Sequence, residues 1–145
     1  MPGFLHWPLD AAFSQITGHD IGRVICLEEE DKMRDRSPAY WRAVTTGETP
    51  APVTWLPVLD YGVPEDLDAY LALVREVAVA VRRGERVLVH CAGGCGRSGT
   101  FASLVLVALG MDPEAAEAAY RQARGCGPES PAQRALVRGG VAPSR

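Results

Sequence analysis

The chain has 145 residues and a mass of 15.6 kDa, the size of one domain with room for a single buried core. Its 47% hydrophobic and 23% charged residues exclude a disordered chain, and a net charge of −3 offers no electrostatic footprint for nucleic acid. Lys32 is the only lysine among 15 basic residues, which reads as GC-rich coding bias and not as a binding surface.

Met1–His6 carries no basic segment followed by an apolar stretch, so no secretory leader is expected. Phe4–Leu9 is a candidate strand. Arg23–Leu27 is apolar and β-branched and is the first clear strand, followed by Glu28–Asp31, expected to be a solvated loop. Val53–Val58 is a second strand, with Pro57 demoting its end to an edge or loop. Leu67, Leu71, Val74, Ala78 and Val81 mark one buried face of a helix starting near Pro64. Arg82, Arg83 and Gly84 end it with cations and a stop. Arg86–His90 is short and continuously apolar, as a buried parallel strand should be. Phe101–Leu109 is helical, and Asp112-Pro113 and Ser130-Pro131 each open a further helix with a cap and a first-turn proline. The longest apolar stretch, Phe101–Met111, is far below the ~20 residues of a membrane span. The alternation predicts a single α/β domain over residues 1–145, with a central, mostly parallel sheet of about four strands and helices on both faces. Residues 1–20 are read as a short N-terminal segment and 138–145 as a flexible tail.

The four cysteines, Cys26, Cys91, Cys95 and Cys126, are too few and too irregularly spaced to suggest a disulfide framework. With no leader, a reducing cytosol is the default, where thiols are free, catalytic or metal-bound. The expected location is therefore cytoplasmic.

Chemistry concentrates in His90-Cys91-Ala92-Gly93-Gly94-Cys95-Gly96-Arg97-Ser98-Gly99-Thr100. This stretch joins a buried strand to a helix, at the strand edge where open α/β sheets bind ligands. Successive N–H groups of Ala92, Gly93, Gly94, Cys95, Gly96 and Arg97 can turn inward around an anion, and the helix N-terminus adds free donors. The Arg97 fork can hold two oxygens of one phosphate. The same positive field favours the thiolate of Cys91, a nucleophile placed beside a bound oxyanion. Metal binding by His90, Cys91 and Cys95 competes weakly, because a fourth ligand is missing and Arg97 would repel a cation. No metal or cofactor is expected.

His-Cys, five residues, Arg, then Ser resembles the signature of the cysteine-dependent protein tyrosine phosphatase superfamily. Gly93-Gly94 followed by Gly96-Arg97-Ser98 is most similar to the kinase-associated phosphatase branch of its compact, dual-specificity-like group. Leu56–Pro64 resembles that branch's general-acid loop, and Arg124-Gly125-Cys126-Gly127 through Gln133 resembles its C-terminal segment. The likeness spans roughly residues 20–137. Two departures are the short N-terminal portion and Cys95, at a position where the family usually has an apolar or basic residue.

The resemblance implies Cys91 as nucleophile, Arg97 as phosphate clamp, Asp60 as general acid and Ser98 as hydrogen-bond donor to the Cys91 sulfur. It implies a buried, loop-orienting His90. Gln133 is left open between positioning the hydrolytic water and lying on a helix surface, and Arg124 between substrate contact and a solvated helix end. Asp66 and Asp68 compete with Asp60 but fall at the start of the following helix. The expected reaction is hydrolysis of phosphotyrosine, with phosphoserine and phosphothreonine next, through a cysteinyl-phosphate. The alternatives are a phosphoprotein-binding module with little turnover and a phosphatase of a small non-protein ester. The expected partner is a phosphorylated protein or peptide met by a monomer, with neither nucleic acid nor membrane involved. Cys95 either fills space under the loop or serves as a resolving thiol for Cys91, with Cys26 and Cys126 as further candidates.

Overall fold

In the computed structural model, which describes residues 8–93 and 95–141, strand β1 (Ile21–Cys26) lies between β2 (Val53–Trp55) and β3 (Arg86–His90). Both pairings are parallel, with Cys26 opposite Trp55 on one side and His90 on the other. Alternation along β1 divides the core. Ile25, with the following Leu27, faces a cluster containing Val74, Phe101 and Leu104, whereas Val24 and Cys26 face Ile16, Met33 and Tyr40 on the opposite side.

Seven helices cover the described sheet: α1 (Leu9–Gly18), α2 (Glu30–Arg36), α3 (Pro38–Thr46), α4 (Leu67–Arg82), α5 (Gly96–Ala108), α6 (Pro113–Arg124) and α7 (Pro131–Gly139). Helices therefore do lie on both faces, but the described sheet has three strands and not about four. Of the candidate strand Phe4–Leu9, residues 4–7 lie outside the described residues, and Leu9 opens α1. The segment read as a short N-terminal extension thus contains a helix that buries Ala12 and Ile16. At the other end α7 runs to Gly139, so residues 138 and 139 of the expected tail are helical.

The local chemistry of α6 and α7 matches expectation. Asp112 caps α6 by accepting from the Glu114 N–H, with Pro113 in the first turn. Ser130 caps α7 in a reciprocal box with Gln133. Helix α4 departs in two respects. It starts at Leu67 and not near Pro64, because Asp66 takes the cap position and accepts from the Ala69 N–H at 3.0 Å. Its buried face is Tyr70, Leu73, Val74, Val77 and Ala78, leaving Leu67 and Val81 exposed. Val74 and Ala78 are buried and Leu71 packs on the core as expected, while Tyr70, Leu73 and Val77 join the buried stripe in place of Leu67 and Val81. The helix is apolar over most of its circumference, and the edge-to-face packing of Tyr70 on Phe101 (5.4 Å, 89°) selects the stripe that faces inward.

Candidate active site

The C-terminal ends of the three strands converge, and each supplies one part of the site. Pairing continues past the strands through Leu27 N–H to His90 O (2.9 Å), Leu56 N–H to Cys26 O (2.9 Å) and Val58 N–H to Leu27 O (3.0 Å). The chain leaving β3 enters the Cys91 loop, that leaving β2 enters the Asp60 loop, and that leaving β1 delivers Glu28.

Cys91 is buried, and its sulfur accepts a hydrogen bond from Ser98 Oγ at 3.1 Å. The cap position of α5 belongs to Cys95, whose side chain makes no cap bond, and Ser98 lies inside the helix. His90 is buried with its ring between two partners. Nδ1 lies 3.3 Å from the Cys91 carbonyl, an acceptor, so Nδ1 carries the proton and Nε2 accepts from the Tyr40 hydroxyl at 2.7 Å. Burial lowers the imidazole pKa to about 4, and burial also raises that of the Tyr40 phenol. A neutral, fixed His90 thus buttresses the start of the loop.

Arg97 is 2% exposed and holds the most connected position in the site. Nη1 donates to Glu28 Oε1 at 2.7 Å and to the Val58 carbonyl at 2.9 Å, and Nη2 donates to Glu28 Oε2 at 3.3 Å. Burial works against the guanidinium charge, but the Glu28 carboxylate outweighs it, and the pKa stands above its ordinary value. Of five N–H donors, this leaves Nε–H and one on Nη2 for a phosphate. Nη2 also lies 3.6 Å from Asp60 Oδ1, so the Asp60 loop and the Cys91 loop meet at this side chain.

Glu28 overturns the expectation of a solvated loop: it is fully buried, and Glu30 and Asp31 open helix α2. A signal for it existed. A charged residue directly following a buried strand lies at the same sheet edge as Cys91, and a buried arginine requires an acid.

Asp60 is half exposed in a turn closed by Gly62 N–H to Leu59 O at 2.8 Å. Tyr61 takes the left-handed position with φ +57. Gln133 is buried and not on the surface. Its Oε1 accepts from the Glu129 and Ser130 N–H groups, and its Nε2 donates to the Gly62 carbonyl at 3.1 Å, tying α7 to the acid loop. Asp66 serves as the α4 cap, and Asp68 follows in the first turn. Arg124 is exposed at the end of α6, bonded to Tyr120.

The loop glycines are placed by packing. A Cβ on Gly99 would come within 2.9 Å of Tyr120 and 3.0 Å of the Gly127 backbone, and one on Gly96 within 3.0 Å of Gln133. Ala92 is partly buried and Gly93 exposed, while Gly94 lies outside the described residues.

The cysteines correct the sequence reading most sharply. Cys95 and Cys126 form a disulfide, with Cα atoms 5.5 Å apart. Cys95 is therefore not a free resolving thiol for Cys91, nor does it join His90 and Cys91 as a metal ligand. Cys26 is fully buried beside Met33, and burial pushes its thiol up to about 12, an inert form. The bridge also removes the free-thiol premise on which a cytoplasmic location was expected. Among the described residues no helix is long and apolar enough to cross a membrane.

The model of a family described as Swiss Army Knife protein, DSP-PTPase phosphatase domain, matches residues 10–143. The chain belongs to this family. It is a cysteine-based phosphatase domain of the dual-specificity type, as the resemblance implied. No curated protein sequence matches it. The DSP-PTPase fold recurs in Tk-PTP in its active form, with 25% identity, 92% of this chain and 86% of that chain covered, and a TM-score of 0.72. Kinase associated phosphatase, with a serine replacing its catalytic-site cysteine, shares the fold at 19% identity, covering 87% and 71%, with a TM-score of 0.75. TpbA of P. aeruginosa, as a cysteine-to-serine form in complex with pTyr, matches at 25% identity, covering 92% and 76%, with a TM-score of 0.63.

Proposed function

We propose that this phosphatase domain hydrolyses phosphotyrosine monoesters of proteins or peptides, with phosphoserine and phosphothreonine as slower substrates, through a cysteinyl-phosphate. The observation that carries the reading is Arg97, held by Glu28 and Val58 with its Nε edge free and Asp60 beside it. That arrangement offers a phosphate clamp with a proton donor next to it.

In the first step the Cys91 sulfur attacks phosphorus in line. Asp60 gives its proton to the leaving oxygen, and the sulfur–phosphorus bond replaces the oxygen–phosphorus bond. The loop N–H groups and Arg97 stabilise charge on the three equatorial oxygens. The Ser98 hydroxyl, bonded to the sulfur, favours thiolate as leaving group in the second step. Water then attacks phosphorus, Asp60 takes its proton, and phosphate departs. His90 does no proton transfer; it holds the loop. Gln133, with its amide bonded to the acid loop, positions that loop, and its second Nε2 hydrogen is available for the attacking water.

Phosphotyrosine is preferred for two reasons. TpbA, a relative in fold, is seen with pTyr. Leu59, Tyr61 and Val63 stand exposed on the acid loop, an apolar rim suited to an aromatic ester. Beside them opens a pocket of about 210 Å³, lined by Glu29, Pro57, Val58, Leu59, Val63 and Glu65. No lysine stands in the loop between Cys91 and Arg97 to hold extra phosphates of an inositol lipid.

The test is kcat/KM across phosphotyrosine, phosphoserine and phosphothreonine peptides, a phosphoinositide and p-nitrophenyl phosphate, for wild type and Cys91→Ser. Phosphotyrosine peptides should lead, and Cys91→Ser should show no turnover. Turnover retained by Cys91→Ser would sink the covalent mechanism; phosphopeptide binding without turnover by wild type would favour a binding module.

A further inference from the structure

Cys95 belongs to the loop that would cradle phosphate, between Cys91 and Arg97, and its sulfur is bonded to Cys126 in the α6–α7 connection, 31 residues on. Both residues are partly exposed, within reach of a small thiol, whereas Cys26 and Cys91 are buried. The connection is itself well anchored. Gly125 caps α6 in the left-handed conformation, the Gly127 backbone abuts Gly99, and Arg121 donates to the Pro128 carbonyl. The loop is less well anchored at Gly93, which is exposed and carries no side chain to restrict the backbone. With the bridge closed, Ser98 stands on Cys91 and Arg97 on Glu28.

We propose that the Cys95–Cys126 bridge is a reducible brace that holds the phosphate loop in its oxyanion-binding shape, so that activity follows thiol redox state with the bridged form as the active one. The inference rests on the phosphatase reading above. Opening the bridge releases the Cys95 side chain from the α6–α7 connection; the Gly99 N–H to Cys95 O bond at 2.7 Å and the Arg97–Glu28 pair still hold the helix end, while the loop around the exposed Gly93 is freed to sample shapes that do not bind phosphate. The co-reactant is a small-molecule dithiol. The Cys95–Cys126 S–S bond breaks and an S–S bond forms in the dithiol, whose two electrons and two protons end on the two protein thiols. Oxidised glutathione reverses the reaction, leaving two molecules of reduced glutathione.

Linkage sets a quantitative demand. If the bridged loop binds phosphate about tenfold more tightly, within the usual range of such couplings, phosphate must stabilise the bridge by the same factor. For a two-electron couple that lowers the midpoint potential of the pair by about 30 mV.

The experiment compares wild-type protein before and after dithiothreitol, with thiols mapped by alkylation and mass, which also verifies that Cys91 carries no adduct. Reduction should expose Cys95 and Cys126 together and lower kcat/KM on p-nitrophenyl phosphate about tenfold, and reoxidation should restore it. Cys126→Ser should match the reduced wild type and ignore dithiothreitol; should that variant fail to fold, the reduced wild type answers alone. In Cys91→Ser, which removes the other reactive thiol, inorganic phosphate should shift the midpoint by about −30 mV. Equal kcat/KM in the two states with no phosphate-dependent shift would make the bridge a mere staple and overturn the proposal. Alkylation of Cys95 and Cys126 without reductant would overturn it as well. Absence of turnover and of phosphate binding in both states would instead overturn the phosphatase reading, and this inference with it.

Discussion

Asp60 and Arg97 stand 3.6 Å apart, yet the carboxylate is 49% exposed and the guanidinium 2%. The Arg97 side is built into the core: a buried acid below, a carbonyl beside it, a serine bonded to the Cys91 sulfur and a disulfide behind. The Asp60 side is a surface turn with one backbone bond across it and one side-chain tie from Gln133. Charge stabilisation demands donors already in place, since reorganising them at the moment of reaction raises the barrier. In the mechanism proposed above, Asp60 must instead exchange with water between acid and base roles, and exposure suits that. Substitutions at Asp60 should therefore cost rate alone, whereas those around Arg97 should cost rate and stability together.

The largest effect expected is at Asp60. Asp60→Asn should lower kcat on an alkyl phosphate about 10²–10⁴-fold, and much less on p-nitrophenyl phosphate, whose leaving group needs little protonation. Its melting temperature should match wild type. Equal losses on both substrates would mean that Asp60 shapes the turn, and would move attention to Asp66.

Glu28→Gln sharpens the opposite side. Removing one partner of a buried ion pair typically costs about 3–5 kcal/mol, so urea unfolding should shift strongly and KM should rise as Arg97 loses its anchor. An unchanged urea midpoint would break the contrast between the two sides.

A somewhat smaller effect is expected at His90. Its pKa of about 4 in the fold lies below the ordinary 6.5, so the unfolded chain takes up the proton first. The stabilisation is complete above pH 6.5, falls as pH drops from there towards 4, and changes no further below that. The 6.5-to-4 displacement corresponds to about 3 kcal/mol. His90→Gln should flatten this part of the stability–pH curve measured by urea denaturation; a curve as steep as wild type would place the titration elsewhere.

The smallest effect tests the exposed turn. Tyr61 holds φ +57, where a side chain costs roughly 1–2 kcal/mol, partly offset in glycine by chain entropy. Tyr61→Gly should therefore gain at most about 1 kcal/mol in stability. It should also raise KM for phosphotyrosine peptides if the ring forms part of the substrate rim. Loss of stability would show that the Tyr61 ring packs more than its exposure suggests.

Much of this was legible in the chain because it is local. The strand Arg86–His90 was readable to the residue, since a run of five apolar-rich positions between Gly84 and the loop has few other uses. The caps Asp112 and Ser130 act over two or three residues, and Cys91 and Ser98, seven residues apart, flank one strand-to-helix turn. Helices α2 and α3 were missed although comparable local signals stood there: acids then bases for α2, Ser37-Pro38 before and left-handed Gly47 after α3. Their shortness hid them, because seven and nine residues give little room for a period to declare itself.

From the sequence alone come the strand-to-helix loop that carries Cys91, Arg97 and Ser98 and the α/β class, which rest on interactions within a few residues or on repeating periods. Only the tertiary structure decided the partner of Arg97, which lies 69 residues away and is chosen by β1 occupying the middle of the sheet. It decided which stripe of α4 faces inward, because an almost uniformly apolar helix leaves that choice to Tyr70 and Phe101. It also decided that Cys95 meets Cys126, since composition and compartment arguments weigh thiols singly, whereas a disulfide depends on two Cα atoms coming within 5.5 Å across the packing of α5 on α6.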